Sequence, residues 1–557
     1  MLKNIKYIIA SAAAVFMLGS CQDFLNTPPV GSLPGDGFYN TPAHIEQGIR
    51  GAYYLLGTDE IEENQYLTFS EDRSDNVWVD PMANGIRDCC ESSYWKITYT
   101  YPAVEALWAQ WYELINNVNT VIAGLNNTDY GEDTALKNQH MGELLFLRGY
   151  AHFELVRTFY NVPMVDHVLT NSEANALKQS PAIDVINNRV LVDLKEAENL
   201  LPYEEGMTDA NGNPFAVDEG RVDKVGVQAM LARVYMTLKG YPFNDANAKA
   251  EAIAYLDKVL KYSSDNGDKY WATDITEWKK QFMTDNSTSN KYQILAIQHD
   301  MSQGNAFSGY HGMGLSDEFF PNGGNNSETN GGEMSPVYPE ALIVHEYEKY
   351  DDPRGEGFAY VKTYGQYGQT PPYSETNTQF TWNGETFTAQ ENAINTKWIP
   401  YAAKREAVGV EFDDSQLGQW PVNFPILRLE DMMLLRAELY AEDGDATSAL
   451  ALVNKIRNRA GVDERTASTP EEALEYVRLE RKLELYMEGI RWFDEVRYGI
   501  WADATLAKYD RYKIDGAYRQ GVAPENVQGK DGRWTLPIPF DEMEAVPGLY
   551  EQNVDWQ

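Results

Sequence analysis

Apolar positions recur at spacings of three and four through two long parts of the chain and lose that rhythm between them. In the later part Leu429, Met432, Met433, Arg436, Ala437 and Tyr440 share one helical face. Gly444 then supplies a left-handed stop and Asp445 an N-cap, and Ala449, Leu450, Val453, Ile456 and Ala460 repeat the pattern until Gly461. Pro425, with its fixed φ and missing N–H, suits the entry to the first of these helices. Two helices joined by so short a turn lie antiparallel and pack on each other. In the earlier part, Thr41-Pro42 starts a helix through Ile45, Ile49 and Tyr53. Leu107, Trp111, Leu114, Val118, Ile122 and Leu125 give a second, with Trp108 and Trp111 as core. Leu144, Leu145, Ala151, Leu155 and Phe159 give its partner, which ends at Asn161-Val162-Pro163. Residues 183–200 form another helix. Gly220-Arg221-Val222 opens one with Val225, Ala229, Ala232 and Met236 on one face, paired with 246–260. A last helical stretch runs over 471–499, with Leu474, Val477 and Leu485 as its stripe. Arg481, Glu484 and Glu488 fall on or beside that stripe, where charge is costly unless paired. The spacing therefore predicts an internal ion network, shared with Arg436 or Arg457.

Two stretches break the helical rhythm. Residues 59–97 are irregular and carry Trp78, Tyr94 and Trp95 among Asp, Asn and Gly. Polar loops avoid tryptophan, so these rings are either tucked into the body or exposed for binding. Residues 263–424 form a long insertion, Gly-, Asn- and Ser-rich over 304–332, with Tyr310, Phe319 and Phe320 embedded in it. Within it, 339–350 reads as a short helix. Phe380 to Phe387 reads as a hairpin about Asn383-Gly384, with Phe380 opposite Phe387 and Trp382 on the same face. So long a polar insertion carrying aromatics points to function.

Charge and cysteine content narrow the partners. With 46 basic against 84 acidic residues the formal charge is −38, which argues against nucleic acid or an anionic bilayer as a charge-driven partner. Lys3 and Lys6 followed by an apolar run from Tyr7 to Leu18 read as a secretory signal, too short to span a bilayer. The run ends in Leu18-Gly19-Ser20-Cys21, which resembles the lipobox of bacterial lipoproteins and implies cleavage after residue 20 and acylation of Cys21. Residues 21–37, rich in Pro and Gly, then form a tether to a single body over 38–557. Cys89 and Cys90 are too few for a metal cage. Asp209-Ala210-Asn211-Gly212-Asn213 begins like a calcium loop, but Pro214 replaces the turn glycine and Gly220 the closing glutamate, leaving an Asx-rich turn. No metal and no cofactor are expected.

The hairpin ending at Gly461 resembles a tetratricopeptide (TPR) helix pair, whose small residues allow close approach. Residues 480–497, ERKLELYMEGIRWFDEVR, resemble the C-terminal signature of the SusD/RagB family, and 454–461, NKIRNRAG, its neighbouring block. Leu536-Pro537-Ile538-Pro539 with Gln552-Asn553 is similar to the family's terminal segment, and Phe146 to Tyr150 and Arg233-Val234-Tyr235 to its earlier blocks. The resemblance implies a mainly α fold: TPR-like hairpins building a superhelical scaffold, about 102–262 and 425–500, with long irregular loops and small β-hairpins. It implies a lipoprotein on the outer membrane, facing the cell exterior. Such a protein caps a SusC-like TonB-dependent transporter and binds a nutrient oligosaccharide for import, without catalysis.

Sugars offer apolar C–H faces to aromatic rings and hydroxyl rims to Asn, Asp, Gln and Arg. By region, the resemblance places ligand contacts on the early loop and the insertion. Trp78 and Trp95 are the candidates in the first, with Asp75 and Asn76 as polar partners, and Tyr310, Phe319, Phe320 and Trp382 in the second. The negative charge favours a neutral over a polyanionic glycan. Two rival classes are a glycan-degrading enzyme, for which neither H-E-x-x-H nor G-x-S-x-G is present, and a TPR protein that binds only another protein.

Overall fold

Several of the helices begin where a short polar side chain takes an orphan backbone N–H. Thr41 accepts from His44 N, Asp133 from Leu136 N, Asp223 from Gly226 N, Asp445 from Ser448 N and Thr469 from Glu472 N. In this computed structural model these residues open helices α1 (Pro42–Leu56), α3 (Thr134–Phe159), α5 (Lys224–Lys239), α9 (Ala446–Ala460) and α10 (Pro470–Glu484). Between and after them lie α2 (Pro102–Asn127), α4 (Leu191–Leu200), α6 (Ala248–Asp265), α7 (Ala341–Lys349), α8 (Leu429–Glu442), α11 (Arg491–Tyr498) and α12 (Trp501–Arg511). The structure describes residues 38–557 except 59, 80–91, 216–219, 284–290, 300–336, 362–378, 383–384, 389–393, 399–405, 410–421, 512, 514–515, 519–520, 546 and 557. Cys21, Cys89 and Cys90 lie outside them. No helix among the described residues is long and apolar enough to cross a membrane.

The helices stack in chain order. α1 packs on α2, α2 on α3, α3 on α4, α4 on α5, α5 on α6, α6 on α8, and α8 and α9 on each other and on α10. The stack is the mainly helical scaffold expected from the periodicity, and Trp108 and Trp111 are buried in it. Charged joints tie the layers: Arg148 on α3 grips Asp193 on α4 at 2.7 and 2.8 Å, and Arg233 on α5 reaches Asp431 on α8 at 2.7 Å. Gly444 (φ 85°) and Gly461 (φ 75°) take the left-handed turns that end α8 and α9.

The largest departures from the sequence reading flank the second helical part. Pro425 does not enter a helix. It lies in strand β8 (Phe424–Arg428), which pairs antiparallel with β2 (Gln293–Ile297), and α8 starts only at Leu429. Both strands are buried, so the apolar run Phe424 to Leu427 satisfies its backbone through a partner inside the insertion, information absent from its own neighbourhood. Likewise the expected 471–499 stretch is two helices, broken at 485–490 by Met487 (φ 61°) and Gly489 (φ 67°). Distant side chains satisfy this break. The Glu71 carboxylate accepts from Met487 N at 2.8 Å and Gly489 N at 3.2 Å, Lys397 Nζ donates to Tyr486 O, and Trp398 Nε1 donates to Met487 O. A Cβ on Gly489 would stand 2.6 Å from Tyr66 O, so only glycine fits the turn.

The expected ion network is present and fully buried. Glu484 binds Arg354 at 2.8 Å, Arg428 at 3.1 Å and Arg459 at 2.6 Å; Glu488 binds Arg428 and Lys397; Glu480 binds Arg354 and Arg457. Arg481 stands beside it, held by Asp431 and Asp494. Arg457 joins through Glu480, whereas Arg436 points elsewhere and pairs with Asp257.

Candidate functional site

Short β-branched and aromatic runs bring the two irregular regions onto one platform. β1 (Val77–Val79) pairs antiparallel with β3 (Val337–Pro339), placing Val79 opposite Val337. β4 (Tyr360–Val361) pairs with β7 (Ile394–Asn395), and Asn395 Nδ2 donates to Val337 O at 3.1 Å, stitching the two ribbons together. Tyr486 Oη donates to Asn395 Oδ1. Val79 is the described residue before 80–91, Val337 the one after 300–336, Val361 the one before 362–378, and Ile394 the one after 389–393. The early irregular loop and the insertion are thus rooted side by side although far apart in sequence.

The insertion also carries the expected hairpin. β5 (Gln379–Trp382) and β6 (Glu385–Thr388) pair with Phe380 opposite Phe387 and Trp382 opposite Glu385. The Trp382 side chain is outside the described residues, as are Tyr310, Phe319 and Phe320.

For the early loop the structure corrects the expectation. Trp78 is 3% exposed and Trp95 1%, so neither offers a face to a ligand. Trp78 stands edge-on to Tyr94 at 6.1 Å. Trp95 lies 5.7 Å from Trp492 and 6.2 Å from Trp501, and its Nε1 donates to Arg533 O at 3.0 Å. The Arg73 guanidinium sits 4.1 Å from the centre of the Trp492 ring, and burial pulls it down to about 9. Asp75 and Asn76 are likewise internal. Both Asp75 oxygens accept from Arg491, at 2.7 and 3.0 Å, and Lys482 lies at 3.0 Å. Burial raises the Asp75 carboxyl, but these two cations outweigh it and hold it well below the usual range. The Asn76 side chain donates to Glu71 at 2.5 Å, and its backbone carbonyl accepts from Glu340 N at 2.9 Å. The loop folds inward because its polar groups find partners on α10, α11 and the residue before α7, and the tryptophans close over them. These four residues hold the ribbon in place.

Among the described residues no group of three or more His, Cys, Asp or Glu side chains is placed to hold a metal. Asp209 Oδ1 accepts from Asn211 N and Asn213 N at 2.9 and 2.8 Å, the Asx turn expected there. His140 and His299 are buried and bonded to Glu46 and Glu62, and burial pushes His152 down to about 3. Two grooves escaped the sequence reading. One, of about 810 Å³, runs between Trp271 and the outer face of α9, past Asn454 and Asn458. The other, of about 490 Å³, lies between α7 and α10 beside Tyr350, Tyr476 and Arg478. The only local sign of the second is the four-residue spacing of Arg478 and Lys482, which is common on solvated helix faces.

Comparison with known proteins agrees with this architecture. A profile described as the SusD family matches residues 202–556, and one described as "Starch-binding associating with outer membrane" matches residues 23–236. SusD-like protein P38 of Formosa agariphila is 23% identical over 524 residues, 89% of this chain and 91% of that protein. The crystal structure of a SusD homolog from Bacteroides thetaiotaomicron superposes with a TM-score of 0.72 at 19% identity, covering 93% of this chain and 98% of that one. A laminarin-binding SusD-like protein superposes with a TM-score of 0.63 at 21% identity, covering 92% and 99%. The profile match over residues 202–556, more than half of the chain, establishes that the chain belongs to the SusD family.

Proposed function

We propose that this chain captures an oligosaccharide on the loops rooted in the β1–β3 and β4–β7 ribbons and delivers it to a SusC-like TonB-dependent transporter. In this reading the acylated Cys21 anchors it to the outer membrane, facing the cell exterior. The observation that carries the reading is the shared root. Two aromatic-bearing segments with no reason of their own to meet are joined through Val79, Val337 and Asn395. Family membership and the laminarin-binding relative of the same fold support it. Tyr310, Phe319, Phe320 and Trp382 would stack on the C–H faces of the sugar, with the buried Asp75–Arg491 joint keeping their platform rigid. Rigidity lowers the ordering cost of binding. The charge of −38 favours a neutral ligand at these loops, and no catalytic step is assigned to the chain.

Calorimetric titration of the full chain with neutral oligosaccharide pools tests the proposal. Trp382→Ala, and the double change Phe319→Ala with Phe320→Ala, are each expected to weaken binding several-fold at unchanged thermal stability. Equal affinity in all variants would refute the loop assignment. A wild-type chain that binds no neutral oligosaccharide would refute the glycan reading.

A further inference from the structure

The groove between α7 and α10 runs against the character of the protein. Five cations, Lys349, Arg465, Arg478, Lys482 and Arg491, line it with three carboxylates, Asp75, Glu346 and Glu475, in a chain that carries −38. Four of the cations have partners, Lys349 among them. Lys482 and Arg491 hold Asp75, and Arg465 pairs with Glu346 at 3.0 Å and donates to Tyr350 Oη at 2.6 Å.

Arg478 is different. Its guanidinium is held 4.1 Å from the centre of the Tyr498 ring, and its Nε is sealed from water with no hydrogen-bond partner. It makes no hydrogen bond or ion pair to any described residue. A guanidinium fixed by stacking, with its donors unfilled, is preorganised for a planar or tetrahedral oxyanion. The walls suit a ring. Arg465 lies 4.4 Å from the centre of Tyr350 and 5.0 Å from that of Tyr476, which fixes both phenols, and Leu342 and Leu479 add apolar surface. About 490 Å³ accommodates a sugar ring or two.

We propose that this groove binds a saccharide bearing one carboxylate or sulfate, with Arg478 receiving the oxyanion and the tyrosine and leucine walls the ring. The site is separate from the loop-borne one and does not depend on it. Asp75 at its edge lies two residues before β1, so a sugar bound there sits at the foot of the loop platform.

The test is calorimetric titration of the full chain at low ionic strength with sodium glucuronate, glucose 6-sulfate, glucose and inorganic sulfate. At least one acidic sugar binds, its affinity falls as salt is added, and glucose and inorganic sulfate bind more weakly. Arg478→Gln lowers the acidic-sugar affinity by about tenfold or more. Arg478→Lys, which keeps the charge and loses the planar fork, falls between the two. Thermal stability of both variants matches the parent, and Trp382→Ala leaves acidic-sugar binding unchanged. Equal affinity in Arg478→Gln, glucose binding as tightly as glucuronate, inorganic sulfate as tightly as the acidic sugars, or no binding of either acidic sugar would each overturn the proposal.

Discussion

Glu484→Gln is the sharpest test of how the scaffold is held together. Glu484 is fully buried and meets three guanidinium groups at 2.6–3.1 Å, and it also accepts from Trp278 Nε1 at 2.7 Å. The surrounding network is balanced: Arg354, Arg428, Arg457, Arg459 and Lys397 face Asp352, Glu430, Glu480, Glu484 and Glu488. The amide preserves shape but leaves one buried positive charge without its counter-charge. Breaking a buried pair in this way costs about 3–5 kcal/mol. For the body over 38–557 unfolding together, an unfolding entropy of about 2.1 cal/mol/K per residue gives about 1.1 kcal/mol/K, so Tm falls by about 3–4.5 °C at pH 7. Burial raises the Glu484 carboxyl, but Arg459, Arg428 and Arg354 outweigh it and hold it far below the usual range. Its folded pKa is therefore depressed. The stabilisation is present above the unfolded value of about 4.3 and fades as pH falls towards the folded one, so parent and variant converge in acid. Differential scanning calorimetry of both chains from neutral pH downwards measures this. Adding Arg459→Met to Glu484→Gln restores the charge balance and recovers part of the loss. A Tm within 1 °C of the parent at pH 7, or a double variant no better than the single, would refute the network as a stabilising unit.

Two further outcomes follow from the early loop. Trp95→Ala removes a buried indole and opens the cage around Arg73, so it destabilises the chain by about 3–5 kcal/mol in denaturant titration while glycan affinity per folded molecule is retained; lost binding at unchanged stability would return Trp95 to the ligand surface. Burial pushes Glu71 up to about 7 despite the donors from Asn76, Met487 and Gly489. A raised folded pKa gives a contribution that is full below the unfolded value of about 4.3 and lost as pH rises through about 7. Glu71→Gln removes that slope between pH 5 and 8, and parallel Tm profiles for parent and variant would contradict the assignment.

The elements were legible from the sequence wherever a few neighbouring residues decide the outcome. Apolar spacing, the Asp and Thr caps and the turn glycines located the helical pairs, the Phe380–Phe387 register and the Asx turn at Asp209. The charged residues on the stripe of α10 also announced a network, because unpaired charge cannot stay buried there. Pro425 misled because its preference for a helix entry competes with strand pairing to residues 293–297, which no local pattern records. The candidate site was legible only by region. A tryptophan in a polar loop reads the same whether it is a platform or a plug. Trp95 became a plug because Trp492, Trp501 and Arg533 surround it, all some four hundred residues away in the chain.

The sequence alone determined the helical hairpins, their order, the family and the presence of aromatic-rich segments, since periodicity, capping and motif spacing are properties of adjacent residues. The tertiary structure alone decided which polar and aromatic groups are consumed inside. Asp75 meets Arg491, Glu71 meets Met487 and Gly489, and Val79 meets Val337 only after the scaffold has closed. It also left Arg478 stacked and without an ion pair to any described residue. Burial and partnership are set by the summed packing of distant elements, and a side chain's chemistry cannot reveal them until those elements meet.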